Sequence, residues 1–236
     1  MTDADRRDAA GRFLLVAAQL GLVLLAMALF RIEANRGFIR LAPLVFGGFV
    51  VHAWLPLRLR PPCFLLLCVA GVVVVLGPSD GAWVLGLGTA LVALCHVPAP
   101  FAARVALVLV AAAALAILRA GWVTVSWAGT ALPVLGSLFM FRLAVYLYDL
   151  RHEKKPATVW ERLSYFFLLP NPCFPLFPIV DYATWRRTYY ARDPYEIYQK
   201  GVLWMLRGTV HLVCYRLIYQ RLLPAPAQVE GLWGVV

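Results

Sequence analysis

Hydrophobic and polar residues in this chain do not alternate; they segregate into long apolar runs joined by short polar or proline-bearing connections. Phe13 to Phe30 holds no charged residue over 18 positions. At 1.5 Å per helical residue such a run reaches about 27 Å, close to the hydrocarbon thickness of a bilayer. Runs of the same character occupy 41–57, 63–77, 82–97, 102–118, 130–150 and 201–219. The pattern predicts an all-α fold, a polytopic helical membrane protein organised as a single helical membrane domain over 1–236. Prolines punctuate it. Pro43 and Pro56 lie near the two ends of the second run, and Pro61 and Pro62 predict a break before the third. Pro78 to Gly81 reads as a turn, Pro98 and Pro100 separate the fourth and fifth runs, and Pro133 interrupts the sixth.

The pattern changes after the charged stretch Arg151 to Lys155. Between Trp160 and Tyr182, Pro170, Pro172, Pro175 and Pro178 remove backbone donors from an otherwise apolar segment. Irregular backbone is tolerated at membrane depth only where lipid does not touch it, so 160–182 is expected to be a proline-broken re-entrant or interfacial segment. The tyrosines and arginines of 183–200 read as an amphipathic interfacial stretch.

Composition sharpens this picture by exclusion. The chain is 62% hydrophobic and 14% charged, against about 25% charged in soluble domains, and its mean hydropathy is +0.76. A soluble enzyme, a disordered chain and a disulfide-stapled module are excluded. The formal net charge of +10 sits in connections between apolar runs, which fits cytoplasmic loops and anionic lipid headgroups better than nucleic acid. Arg58, Arg60, Arg104 and the Arg151 to Lys155 cluster fall on one side if each run crosses once, whereas Arg31, Arg36 and Arg40 fall on the other. The first run is too long for a signal-peptide core and is read as a retained span. Apolar density rises again over Gly231 to Val236, so the chain is expected to be the N-terminal part of a longer protein.

Few residues carry candidate chemistry. Arg142, Tyr146 and Asp149 stand at i, i+4 and i+7 and share one helix face. They can line a polar path or clamp another segment; alternatively Asp149 sits among headgroups while Arg142 snorkels. Arg207, His211 and Cys214 repeat the spacing, which makes His211 a candidate base or a hydrogen-bonding group between packed helices. Asn171, beside the proline break, can bond a freed carbonyl or line a donor path. Cys63, Cys68, Cys95, Cys173 and Cys214 form no CxxC pair and read as buried apolar side chains. No histidine pair has metal-ligand spacing, so no metal is expected.

From Gly136 to Leu222 the chain resembles the membrane-bound O-acyltransferase family, in the bacterial branch that includes alginate O-acetyltransferase. Gly136, Ser137, Phe139, Tyr146 and Asp149 match a span ending in Tyr-X-X-Asp. Phe167, Pro170 and Pro178 are similar to the proline-bearing element that follows, and Gln199 to Leu212 to the next span. The resemblance covers about a third of the chain by the extent of those motifs. It implies transfer of an acyl group from a thioester of coenzyme A or of a carrier protein to a hydroxyl of a glycan or lipid acceptor. It further implies a multi-pass protein of the bacterial cytoplasmic (inner) membrane, with lipids and accessory transfer proteins as partners and no bound cofactor. The family's catalytic histidine has no counterpart in this sequence, and His211 comes too early in the motif order. That histidine is expected beyond residue 236, and the isolated chain is expected to be inactive. A transporter with a helix broken around its substrate, or a noncatalytic assembly subunit, are the alternatives.

Overall fold

The computed structural model describes residues 3–30, 36–125, 127–152, 158–168, 182 and 194–219. Every regular element among them is helical: α1 (Asp3–Leu29), α2 (Arg36–Trp54), a 3-10 turn (Leu57–Leu59), α3 (Arg60–Leu76), α4 (Pro78–Leu94) and α5 (Phe101–Arg119). There follow α6 (Ala128–Val134), a π-helical turn (Leu135–Phe139), α7 (Met140–His152), α8 (Val159–Phe167) and α9 (Pro194–Leu217). Three helical stretches, Asp8–Leu29, Leu57–Leu76 and Phe101–Arg119, are long and apolar enough to cross a membrane; Ile39–Trp54 is apolar but shorter.

The chain divides into two compact units, 1–36 with 193–236 and 37–192. In the first, α1 packs on α9. Val16, Leu20, Val23 and Leu24, spaced i, i+4, i+7 and i+8, are the buried stripe of α1, and Val202 and Thr209 are buried on α9. Thr209 returns its hydroxyl to the Met205 carbonyl at 2.9 Å, so no polar group is stranded there. Arg216 donates to the Phe30 carbonyl just past the end of α1, at 3.0 Å. Leu14, Leu22, Leu25 and Leu29 stay exposed on the opposite side of α1.

The second unit holds the larger core. Val72 of α3, Val84 of α4, Leu135 and Leu143 around the π turn, and Tyr165 and Phe166 of α8 are all essentially inaccessible. Glycines set the helix spacing. A Cβ on Gly88 would stand 3.0 Å from the Phe167 ring and 3.1 Å from that of Phe139, so α4 reaches both only because the position is bare. Gly81 lies against the Val73 backbone in the same way, 3.3 Å from its Cα.

Several elements begin or end away from the positions read off the sequence. Pro61 and Pro62 fill the first turn of α3, where their missing N–H groups have no helical partner to lose; the break lies before Arg60. Pro78 opens α4 for the same reason, and the α3–α4 turn reduces to Gly77, at φ +85°. The apolar run 82–97 is helical only to Leu94, which leaves Cys95 and His96 in the connection to α5. The run 130–150 divides into α6, the π turn and α7. Residues 194–200, read as interfacial, are the first two turns of α9, which is 24 residues long. Pro170 to Pro178, Asn171 and Cys173 lie outside the described residues.

Candidate functional site

The polar centre of the second unit is built from α7 outward. Arg142 and Tyr146 lie one turn apart, and both turn inward, with exposures of 3% and 0%. The face that carries them is set by the π turn immediately upstream, a rare conformation that recurs at functional sites. Asp149 lies half-buried one turn further along α7.

A second set of residues comes from α8. Its start is fixed by a capping box: the Thr158 hydroxyl accepts from the Glu161 amide at 3.3 Å, and the Glu161 carboxylate accepts from the Thr158 amide at 2.9 Å. The helix ends at Phe167, with Leu168 already extended. The Tyr165 carbonyl therefore belongs to the last turn, where carbonyls lack intrahelical partners. Arg142 donates to it through Nη1 at 3.2 Å and lies over the Tyr165 ring, 5.4 Å from its centroid. One buried cation thus serves as a C-terminal cap for α8 and as a cation–π partner. No carboxylate pairs with Arg142 among the described residues.

Tyr146 sits in a cage of rings. Phe166 and Tyr182 meet it edge-on at centroid distances of 5.0 and 4.9 Å, and Tyr165 stacks against it at 6.3 Å. Its hydroxyl is paired with His96 Nε2 at 2.9 Å, and the two rings are T-shaped at 5.8 Å. His96 stands in the turn outside the helices. Burial, then the Arg162 and Arg104 guanidiniums, hold its proton affinity below the ordinary imidazole range. His96 is therefore neutral at pH 7, and the Tyr146 hydroxyl donates to it or accepts from it according to the tautomer.

Arg142 and Tyr146 are thus brought together, with Asp149 on the same helix. His211 is exposed on α9, in the other unit, and Asn171 lies outside the described residues. The member of the cluster that the spacing did not reveal is His96. It lies 50 positions before Tyr146, and only the packing of the α4–α5 turn against α7 joins them. The capping box was legible, as a Thr-x-x-Glu ahead of an apolar run. What the cluster offers chemically is a neutral imidazole coupled to a phenol, beside a fixed positive charge in a low-dielectric interior.

No family model matches the chain, and neither a curated protein nor a solved structure is similar to it.

Proposed function

We propose that the chain is a multi-pass integral membrane protein and forms part of a membrane-bound O-acyltransferase, moving an acyl group from a thioester donor to a hydroxyl of a glycan or lipid acceptor. One observation supports this reading above the others. Tyr146, which carries the resemblance to that family, and Arg142, one turn before it, are both buried in the second unit's core, and Arg142 is the buried cation among its described residues. A cation in that position costs several kcal/mol in desolvation unless something offsets it, which makes it a functional hypothesis by default. In the proposed reaction the acceptor hydroxyl attacks the thioester carbonyl, the thiolate leaves, and the hydroxyl proton passes to a base. A guanidinium held in a dry site is suited to the oxyanion formed on attack.

The bacterial inner membrane is the proposed location, and the exposed leucines of α1 fit a lipid-facing surface. The re-entrant reading of 160–182 draws support from α8, whose nine residues reach only about 13 Å, far short of a crossing. The 236 residues alone are expected to transfer no acyl group, because none of their histidines matches the family's base.

The test uses membranes from cells expressing the whole gene product, supplied with a labelled short-chain acyl thioester and a glycan acceptor. Labelled ester on the acceptor is the expected result, reduced about a hundredfold by Arg142→Met if the guanidinium meets the oxyanion. No labelled ester from the unaltered protein, or full transfer by the variant, overturns the assignment. Unlabelled acceptor together with vesicle uptake of a solute would instead point to a transporter.

A further inference from the structure

Two tryptophans meet near the start of α4, at the opposite end of that helix from His96. Trp83 of α4 stacks on Trp127, the residue just before α6, at a centroid distance of 5.2 Å and an interplanar angle of 22°. The pair is held from behind: Trp127 packs against the buried core, and Val84, next to Trp83, lies wholly within it. Gly81 sets the same turn of α4 directly against the Val73 backbone of α3. Trp83 nevertheless keeps 45% of its surface open, so a ring already stacked on one side has a second face to offer.

The turn before this ring is polar. Ser79 and Asp80 precede Trp83 by four and three positions and share its helix face. Long side chains in a helix lean toward its N-terminus, so the indole lies over the turn that carries them. The result is a flat aromatic face with a hydroxyl, a carboxylate and indole N–H donors at its rim. Near-parallel rings give a flat face, not the enclosing walls of a cage for an ammonium ion. Lipid chains gain nothing from the polar rim. A sugar ring uses both parts: its C–H face lies on the electron-rich indole, while its hydroxyls donate to Asp80 and Ser79. The carboxylate also sets a charge preference, since it accepts from hydroxyls and repels a uronate.

We propose that Trp83, Trp127 and Asp80 form a binding platform for a neutral hexopyranose ring of a glycan. The positive-inside rule puts the ends that carry Arg58 and Arg104 in the cytoplasm, so successive crossings by α3, α4 and α5 place the platform on the far side of the membrane. As the seat of the acyl acceptor the platform rests on the acyl-transfer reading; as a sugar site it is tested by binding alone.

The test is saturation-transfer NMR on the purified full chain in a polyoxyethylene detergent, which contains no sugar, titrated with cellotetraose and separately with an oligouronate of the same length. Saturable transfer to the ring C–H protons of cellotetraose is expected, with the oligouronate bound several-fold more weakly. Trp83→Leu, which keeps apolar bulk but no flat ring, should weaken cellotetraose binding about tenfold, and Trp83→Phe less. Asp80→Asn should remove the discrimination against the uronate. Trp204→Ala, at an exposed tryptophan of the first unit, should change nothing. No saturable binding of cellotetraose overturns the proposal, as do equal binding of the oligouronate and equal weakening by Trp204→Ala. Unaltered sugar binding by Trp83→Leu also overturns it, and with loss of partitioning into lipid vesicles would mark Trp83 as a membrane anchor. If Trp83→Leu does not fold, Asp80→Asn carries the comparison. Sugar binding by a protein that transfers no acyl group keeps the platform and removes the acyl-transfer reading; a labelled glycan product without such binding does the reverse.

Discussion

A single guanidinium shows how much rests on one side chain. Arg142 closes the carbonyl end of α8 from a neighbouring helix, so shortening it uncovers the Tyr165 carbonyl and opens a void beside the Tyr165 ring. Arg142→Ala is expected to cost about 3 kcal/mol, the sum of an orphaned acceptor and a partly collapsed cavity. Arg142→Lys, which can still donate, should lose less; melting temperatures of the detergent-purified variants measure both. His96 makes a pH prediction with a definite sign. Its proton affinity is lowered on folding, so below the ordinary imidazole value the unfolded chain binds more protons than the folded one. Stability is therefore full above about pH 6.5 and falls as the pH drops below it, through the lowered folded value. His96→Gln should flatten that slope in melts recorded between pH 7 and 5; an unchanged slope would assign it to another group. The i, i+4 spacing made Arg142 and Tyr146 legible as neighbours in the sequence, because helical geometry is local. His96 was not legible as their partner, since nothing local encodes a contact made across two helices and a turn.

At the scale of the elements, apolar runs predicted the helices well and prolines predicted their ends less well. Pro61, Pro62 and Pro78 were read as breaks, yet each occupies a first turn, where proline's fixed φ fits the helix and its missing donor is not needed. The distinction depends on which side of the proline the helix lies, and hydropathy continues on both sides. Glycine spacing carries a sharper message than it first offers, since Gly86 and Gly88 look equivalent in sequence and are not. An added methyl at Gly88 collides with Phe167 and Phe139, whereas at Gly86 it meets nothing within 4 Å. Gly88→Ala should destabilise by about 1–3 kcal/mol through overpacking. Gly86→Ala should stabilise by about 0.5–1 kcal/mol by removing helix-interior glycine entropy. Opposite shifts in melting temperature are the expected result, and a matching sign for both would show that α4 does not touch α8 at Gly88.

Across the whole molecule, the order of α3, α4 and α5, with α4 in contact with both neighbours, predicts a simple topology if the three cross a membrane in turn. In that case Arg58 and Arg104 lie at one end of the crossings, and Ser79 and Trp122 at the other. Single cysteines at 58 and 104, on a background without the five native cysteines, should react with an impermeant reagent from one side of a sealed vesicle. Cysteines at 79 and 122 should react only from the opposite side; labelling of all four from the same side refutes the crossing. The apolar runs made the succession of helices readable, but the division into two compact units was not, because the first unit joins segments from the two ends of the sequence, a contact that nothing local encodes. The π turn at Leu135–Phe139 also bears on how the chain can change length. A turn closed by i to i+5 bonds holds one residue more than an α turn, so it behaves as a stored insertion. Deleting Leu138 should relax it to ordinary helix while Arg142 and Tyr146 keep their facing. Deleting Ala144, within α7, should swing every later side chain by about 100° and carry Tyr146 away from His96. Comparison of the two deletion variants in thermal melts tests this, and it marks 135–139 as the segment where the core can lose a residue without being rebuilt.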